Sequence, residues 1–394
     1  MDNTTSPHIG YCTNVHAGAD LTTMRDNLEH YAIPVRQSVN AENPMGIGLW
    51  LSAKAARSLQ VDNETEKLAR WLESAALIPF TLNGFPYGDF HQTVVKHRVY
   101  HPTWYENDRL EYTLNLIDIL DQILPSGLEG SISTLPIGWG QPEPSDKDLK
   151  LAAAQFQKVV EHLYQLEQER GRLIYVCIEP EPGCVLQTSA DIVQFFENHL
   201  SRQITEHQAK RYVRVCHDVC HSSVMFETQK DVLQRYQAAG ILVGKVQISS
   251  AIQADWSSMH ATQKVEAFQQ LRAFAEDRYL HQTVATTEYS TTVFHEDLPD
   301  LLQSTSSPKD LQGEWRIHFH VPIFLEQFGL LKTRHSEISE CLDALVDIPQ
   351  RPNHFEVETY AWGVLPAELQ ESDLSRGIAK ELNWFASLLK GVRY

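Results

Sequence analysis

Short apolar runs alternate along the chain with longer segments in which apolar residues recur every three or four positions. The short runs read as strands and the long ones as amphipathic helices, so the alternation predicts a repeated β/α chain. Candidate strands are HIGYCTNVH (8–16), GIGLWLS (46–52), LIPFTLNG (77–84), SISTLPIG (131–138), LIYVCIEPEPG (173–183), YVRVCHDVCH (212–221), LVGKVQISS (242–250), IHFHVPIF (317–324) and HFEVETYAW (354–362). These nine compete for the eight places of a (β/α)8 barrel. One of them, GKVQISS or IHFHVPIF, is therefore expected outside the closed sheet. The clearest helix is DLKLAAAQFQKVVEHLYQLEQERG, whose Leu149, Ala152, Phe156, Val159, Leu163 and Leu166 form one apolar stripe. Ser145 is placed to cap its start and Gly171 to end it. No repeat, low-complexity tract or linker divides residues 1–394, so a single barrel domain is expected, and two separate sheets would end that reading. The segment 281–313, rich in Thr, Ser, Asp and Pro and without period, is expected to be a long loop or lid.

Catalytic groups of a parallel barrel sit at the C-terminal ends of its strands. Here those ends are polar: Glu179 after LIYVCI, Asp218 and His221 after YVRVCH, Gln247 in KVQIS, His318 and His320 in IHFHVPIF, and Glu358 in HFEVETYAW. Taken singly, each has an ordinary reading: Glu179 as a solvent-facing strand end, Asp218 as a turn residue, either histidine as a core residue. Ile178, Val215 and Val357 flank the acids, however, and an unpaired charge inside an apolar run is costly. A shared cation would offset that cost, and carboxylates, histidine and an amide suit a hard divalent ion such as Mg²⁺ or Mn²⁺. His16, at the end of the first run, would either line the pocket or cap a loop. Asn83, Phe85 and Tyr87 read as a loop over the mouth, and Trp139 reads similarly, although core packing is commoner for such aromatics. Tyr360 and Trp362 would share the face of Glu358 in a regular strand and form the pocket wall.

Composition narrows the functional classes. Lysine and arginine number 33 against 51 acidic residues, a net charge of −18 that would repel nucleic-acid phosphates. No apolar run approaches the roughly 18 residues of a membrane span, and MDNTTSPHIG lacks the features of a secretory signal. The expectation is a soluble, cytoplasmic protein with a small-molecule partner. Six scattered cysteines do not make a disulfide framework, and Cys216 and Cys220 lack the second ligand pair of a structural zinc site. In RVCHDVCHSS, Cys216, Asp218 and Cys220 would share one face if the strand stays extended, with the thiols as inert fillers of the barrel. The following turn would swing His221 back toward Asp218.

The runs GYCTNVHAG, IEPEPG, HDVCH, HFHVPIF and EVETYAWGVLP together resemble the xylose isomerase-like TIM barrels, and more narrowly the EboE group of metabolite traffic proteins, along nearly the whole chain. HFHVP and EVETYAWGVLP are the specific matches. The resemblance implies a metal-dependent sugar isomerase or epimerase in which Glu, Asp, His and Glu from four late strands hold one divalent ion, Mn²⁺, Mg²⁺ or Zn²⁺. Glu179, Asp218 and Glu358 match three of these ligands, with Glu179 and Glu358 as the acid and base, and His221 matches a substrate-contacting histidine. The fourth ligand departs from the pattern: Gln247 stands where a histidine is usual, so the ion is held more loosely or His318 or His320 takes the place. His318, His16, Asn83, Tyr360 and Trp362 are the remaining candidates for substrate contact. Two other functions fit the same residues. One is a metabolite-binding or trafficking accessory of an Ebo-type pathway, with reduced chemistry and with other proteins of that pathway as partners; the other is an endonuclease IV-like metal phosphodiesterase.

Overall fold

Eight of the nine apolar runs pair as parallel strands of one sheet. The computed structural model describes residues 7–202, 205–286 and 291–392. Seven strands come in succession: β1 (His8–Tyr11), β2 (Met45–Trp50), β3 (Leu77–Asn83), β4 (Gly130–Thr134), β5 (Ile174–Ile178), β6 (Val213–Asp218) and β7 (Val243–Ile248). Six short strands follow, β8 (Ile252–Asp255), β9 (Thr283–Thr286), β10 (Thr292–His295), β11 (Glu314–Ile317), β12 (Gln327–Phe328) and β13 (Leu331–Thr333), before β14 (His354–Val357) returns to the main sheet. Its order is β1-β14-β7-β6-β5-β4-β3-β2, and the two ends of that order meet where Cys12 bridges Gly48 in parallel. The fold is a (β/α)8 TIM barrel. β1 and β2 approach so closely that a Cβ on Gly10 would lie 2.9 Å from the Gly46 carbonyl carbon, which only glycine permits.

The helices follow from their apolar stripes. Over Asp146–Arg170, Ala152, Phe156, Val159, Leu163 and Leu166 are buried, Ser145 forms a capping box with Asp148, and Gly171 ends the helix at φ +66°.

The displaced run is IHFHVPIF. Only its first residue belongs to a strand, β11, which pairs antiparallel with β8 and β9. GKVQIS takes the barrel place. Hydrophobic alternation does not say whether a partner is parallel, and the run leads out of a strand, β11, whose partners β8 and β9 are both antiparallel. The second sheet, β10-β9-β11-β8-β13-β12, departs from the single sheet expected of the sequence, and so does the segment 281–313. That segment forms β9, β10 and the helix Leu298–Ser304 where an irregular lid was expected; its residues 287–290 lie outside the described residues. The six strands are inserted between β7 and β14 and leave the barrel sheet complete.

Below the mouth, the barrel axis holds a wholly buried ion pair. Lys245 Nζ lies 2.6 Å from Glu356 Oε2, with Ser133 Oγ at 3.3 Å. A Cβ on Gly48 would sit 1.4 Å from Glu356 Oε1, so this glycine makes room for the carboxylate.

Candidate metal centre at the barrel mouth

Three carboxylates leave three strands for the same point. Glu179 follows β5, Asp218 ends β6 and Glu358 follows β14, and one oxygen from each lies within 4.8 Å of the others. All three are buried. Asp218 Oδ1 accepts the His221 amide N–H at 2.8 Å and the Ser249 hydroxyl at 2.9 Å, so it caps the helix Val219–Val224. Glu358 Oε1 accepts from Asn14 Nδ2 at 2.7 Å and from Asn83 Nδ2 at 2.9 Å. Burial, then Glu358 and Asp218, raises the Glu179 carboxyl well above the usual range, and burial, then Asp218 and Glu356, pushes Glu358 up to about 8. Burial also opposes ionisation of Asp218, but His221, His320 and the two donated bonds prevail and hold it below its ordinary value.

The polar atoms left over identify what the cluster lacks. Glu179 Oε2, Asp218 Oδ2, Gln247 Oε1 and His320 Nε2 are buried without any hydrogen-bond partner. Gln247 pairs in register with Asp218 and with Glu356, so it shares their inward face. His320 donates Nδ1–H to the Glu358 carbonyl oxygen at 2.6 Å, which fixes the tautomer and turns a bare Nε2 toward Asp218 Oδ2, 3.9 Å away. Burial holds this ring down to about 4, so it is neutral near pH 7. A neutral imidazole anchored through its other nitrogen, beside unpaired carboxylate oxygens, is the donor set of a divalent-cation site. The residues present fit such an ion: Glu179, Asp218, Glu358 and His320 would hold it, with Gln247 adding an amide oxygen.

His318 is engaged elsewhere. Gln282 Nε2 donates to Glu181 Oε1 at 2.9 Å and to the Pro182 carbonyl at 3.2 Å, so its Oε1 faces His318 Nδ1, 2.8 Å away, and accepts from it. His221 Nδ1 donates to the Pro180 carbonyl at 2.9 Å. The two Nε2 lone pairs then face each other at 3.1 Å, an arrangement that needs a shared proton or a cation between them. Both histidines line the pocket, with Asn83, Phe85, Phe90, Tyr100, Tyr279 and Tyr360 as its wall.

Several sequence expectations are corrected. Trp362 is not in the pocket wall: β14 stops at Val357, a tight helix runs over Tyr360–Val364, and Trp362 Nε1 instead donates to Glu381 Oε2 at 3.1 Å. His16 lies outside the metal pocket, lining an adjoining cavity and stacked on Tyr31 at 4.4 Å. Cys220 does not share the strand face of Asp218, because the strand ends there and the helical turn carries the thiol to Val224, Ala251 and Val284. Trp139 packs on Tyr100 outside the pocket lining. The sequence reading missed Asn14, Glu181, Tyr100 and Gln282. Glu181 carried a signal, being two residues past Glu179 in IEPEP; Tyr100 and Gln282 lie in segments with no period and gave none.

No family model matches the chain, and no curated protein matches it in sequence. Solved structures do resemble it. A xylose isomerase-like TIM barrel protein from Mycobacterium smegmatis in complex with magnesium superposes with a TM-score of 0.52 at 10% identity, over 98% of this chain and 97% of that one. A D-tagatose 3-epimerase-like protein gives 0.51 at 11% identity, over 98% of each chain. Identity this low speaks for the fold alone, a (β/α)8 TIM barrel.

Proposed function

We propose that this protein is a divalent-metal-dependent isomerase or epimerase that moves a proton on a carbon next to a carbonyl in a small sugar- or polyol-like metabolite. The carrying observation is the set of buried, partnerless atoms at the mouth: Glu179 Oε2, Asp218 Oδ2, Gln247 Oε1 and His320 Nε2. A bound ion would polarise the carbonyl and its neighbouring hydroxyl. Glu179 and Glu358 follow β5 and β14, which β6 and β7 separate in the sheet, and so they approach a ligand from different strands. One takes the proton and the other returns it. Asn14 and Asn83 hold Glu358 Oε1 in place, and aromatic side chains wall the pocket. The magnesium in the M. smegmatis barrel supports Mg²⁺ or Mn²⁺ as the ion, and the His320 nitrogen suits Mn²⁺ or Zn²⁺. The resemblance of HFHVPIF and EVETYAWGVLP to the EboE group supports an Ebo-type pathway as the setting, with its other proteins as partners, and a cytoplasmic location belongs to the same reading. No helix among the described residues is long and apolar enough to cross a membrane.

Two further readings each have an observation in their favour. The amide at Gln247, where an imidazole is usual, favours a metabolite-binding accessory with reduced chemistry. The facing lone pairs of His221 and His318 favour a second cation and hence an endonuclease IV-like phosphodiesterase, which the net charge of −18 opposes. Metal content separates the three: one ion per chain supports the isomerase, none the accessory, and two or three the phosphodiesterase. The test of the chemistry is incubation of metal-loaded protein with candidate aldoses and ketoses in D2O. Deuterium should enter the substrate with the native protein and not with Glu358→Gln; undiminished exchange in the variant would remove Glu358 from the reaction.

A further inference from the structure

The metal pocket is small. Its volume of about 60 Å3 leaves room for a few water-sized groups, so a longer ligand would extend beyond it. A second cavity of about 260 Å3 adjoins it, across Tyr279 and Tyr360, which line both. The two differ in charge. Glu179, Glu181 and Glu358 line the metal pocket, and its one lysine, Lys96, is paired with Asp297 at 2.6 Å. The second cavity is lined by His16, His91 and Arg278, with no Asp or Glu among its described lining residues, in a chain of 51 acidic residues.

Two of its basic groups each keep a buried nitrogen without a partner. Arg278 forms no salt bridge among the described residues, and its Nε is buried without a partner. His16 is 3% exposed; its Nε2 meets the Tyr11 hydroxyl at 3.0 Å, but its Nδ1 is buried and unpartnered. Burial, then the neighbouring His91 and His30, pushes His16 down to about 3, and an anion among these groups would act in the opposite direction. His91 Nε2 donates to the Asn14 carbonyl at 2.6 Å, and Asn14 donates to Glu358, so one residue touches both the basic cavity and the carboxylate cluster.

We propose that this second cavity binds an anionic group, a phosphate or carboxylate, on Arg278 and His16. The group has two sources: the far end of a substrate whose carbonyl lies in the metal pocket, which rests on the isomerase reading, or a separate anion. The cavity's charge is the same for either.

The test is isothermal titration of the metal-loaded, full-length protein with inorganic phosphate at fixed ionic strength. Saturable binding at one site per chain is expected, weakened about tenfold or more in Arg278→Leu and again in His16→Phe, which keeps the ring stacked on Tyr31. Unsaturable phosphate binding by the native protein would overturn the proposal, as would affinities within about twofold of native in both variants when their melting curves show them folded. Competition identifies the source. If the anion is the substrate's own, D-fructose 6-phosphate displaces inorganic phosphate and binds more tightly than D-fructose, an advantage lost in Arg278→Leu. If it is separate, D-fructose and inorganic phosphate bind together without competing. Failure of the isomerase reading shows as absent deuterium exchange and leaves the phosphate titration interpretable.

Discussion

On the proposed metal reading, Gln247 and His320 would divide between them the task that the resemblance gives to one histidine of β7. Gln247 is wholly buried with both amide atoms unpartnered, while His320 brings a neutral imidazole to Asp218 from the loop that follows β11. Removing the nitrogen in His320→Ala should therefore lower Mn²⁺ affinity by about 10- to 100-fold, as loss of a ligand or its anchor commonly does. Gln247→His should have a smaller effect alone but recover part of the affinity lost in His320→Ala, because it supplies the missing imidazole from the barrel side. Metal titration of the two single variants and the double variant checks this; equal affinity in His320→Ala and the native protein would show that His320 is not a ligand. The site was partly legible in the sequence. Glu179, Asp218 and Glu358 stood out because each ends an apolar run, and the structure brings them together. The choice among Gln247, His318 and His320 was not legible, since it depends on which ring nitrogen each backbone carbonyl or amide oxygen claims.

At the scale of elements, the C-terminal helix Leu374–Gly391 ties the two loops that present His320 and Glu358. Its buried Glu381 accepts from the Ile323 amide at 3.1 Å, the Thr359 hydroxyl at 2.6 Å and Trp362 Nε1 at 3.1 Å. Burial, against those three donated bonds, pushes Glu381 up to about 7. A carboxyl whose folded value is raised binds its proton more tightly when folded, so its favourable contribution is full below about 4.5 and is lost as pH rises toward 7. Denaturant unfolding should show stability falling across that window by up to roughly 3 kcal/mol more in the native protein than in Glu381→Gln. Equal slopes would mean that Glu381 does not titrate there. Gly48→Ala tests the barrel seam: its methyl would collide with Glu356 Oε1, and a loss of about 3 kcal/mol or more is expected by the same measurement. Why some elements were misread is local. IHFHVPIF has the alternation of a strand but leaves β11 after Ile317, and Trp362 left the pocket because β14 ends before it. A periodic pattern fixes which residues are apolar together and not where a strand stops pairing.

Across the whole molecule, we propose one domain in which the barrel supplies the carboxylates and the insertion between β7 and β14 supplies His320. Alternation and helix caps made the barrel readable from sequence, because each β/α unit repeats one local pattern. The antiparallel insertion was not readable, since its strands are two to four residues long and interrupted by polar turns. The central claim is that these two parts close on a single divalent ion. Its most direct measurement is titration of metal-free, full-length protein with Mn²⁺, followed by the paramagnetic resonance signal of the free ion. The signal should stay low until one equivalent per chain has been added and then rise in proportion, whereas in Glu179→Ala it should rise from the first addition. A signal that rises from the first addition in the native protein as well would contradict the claim.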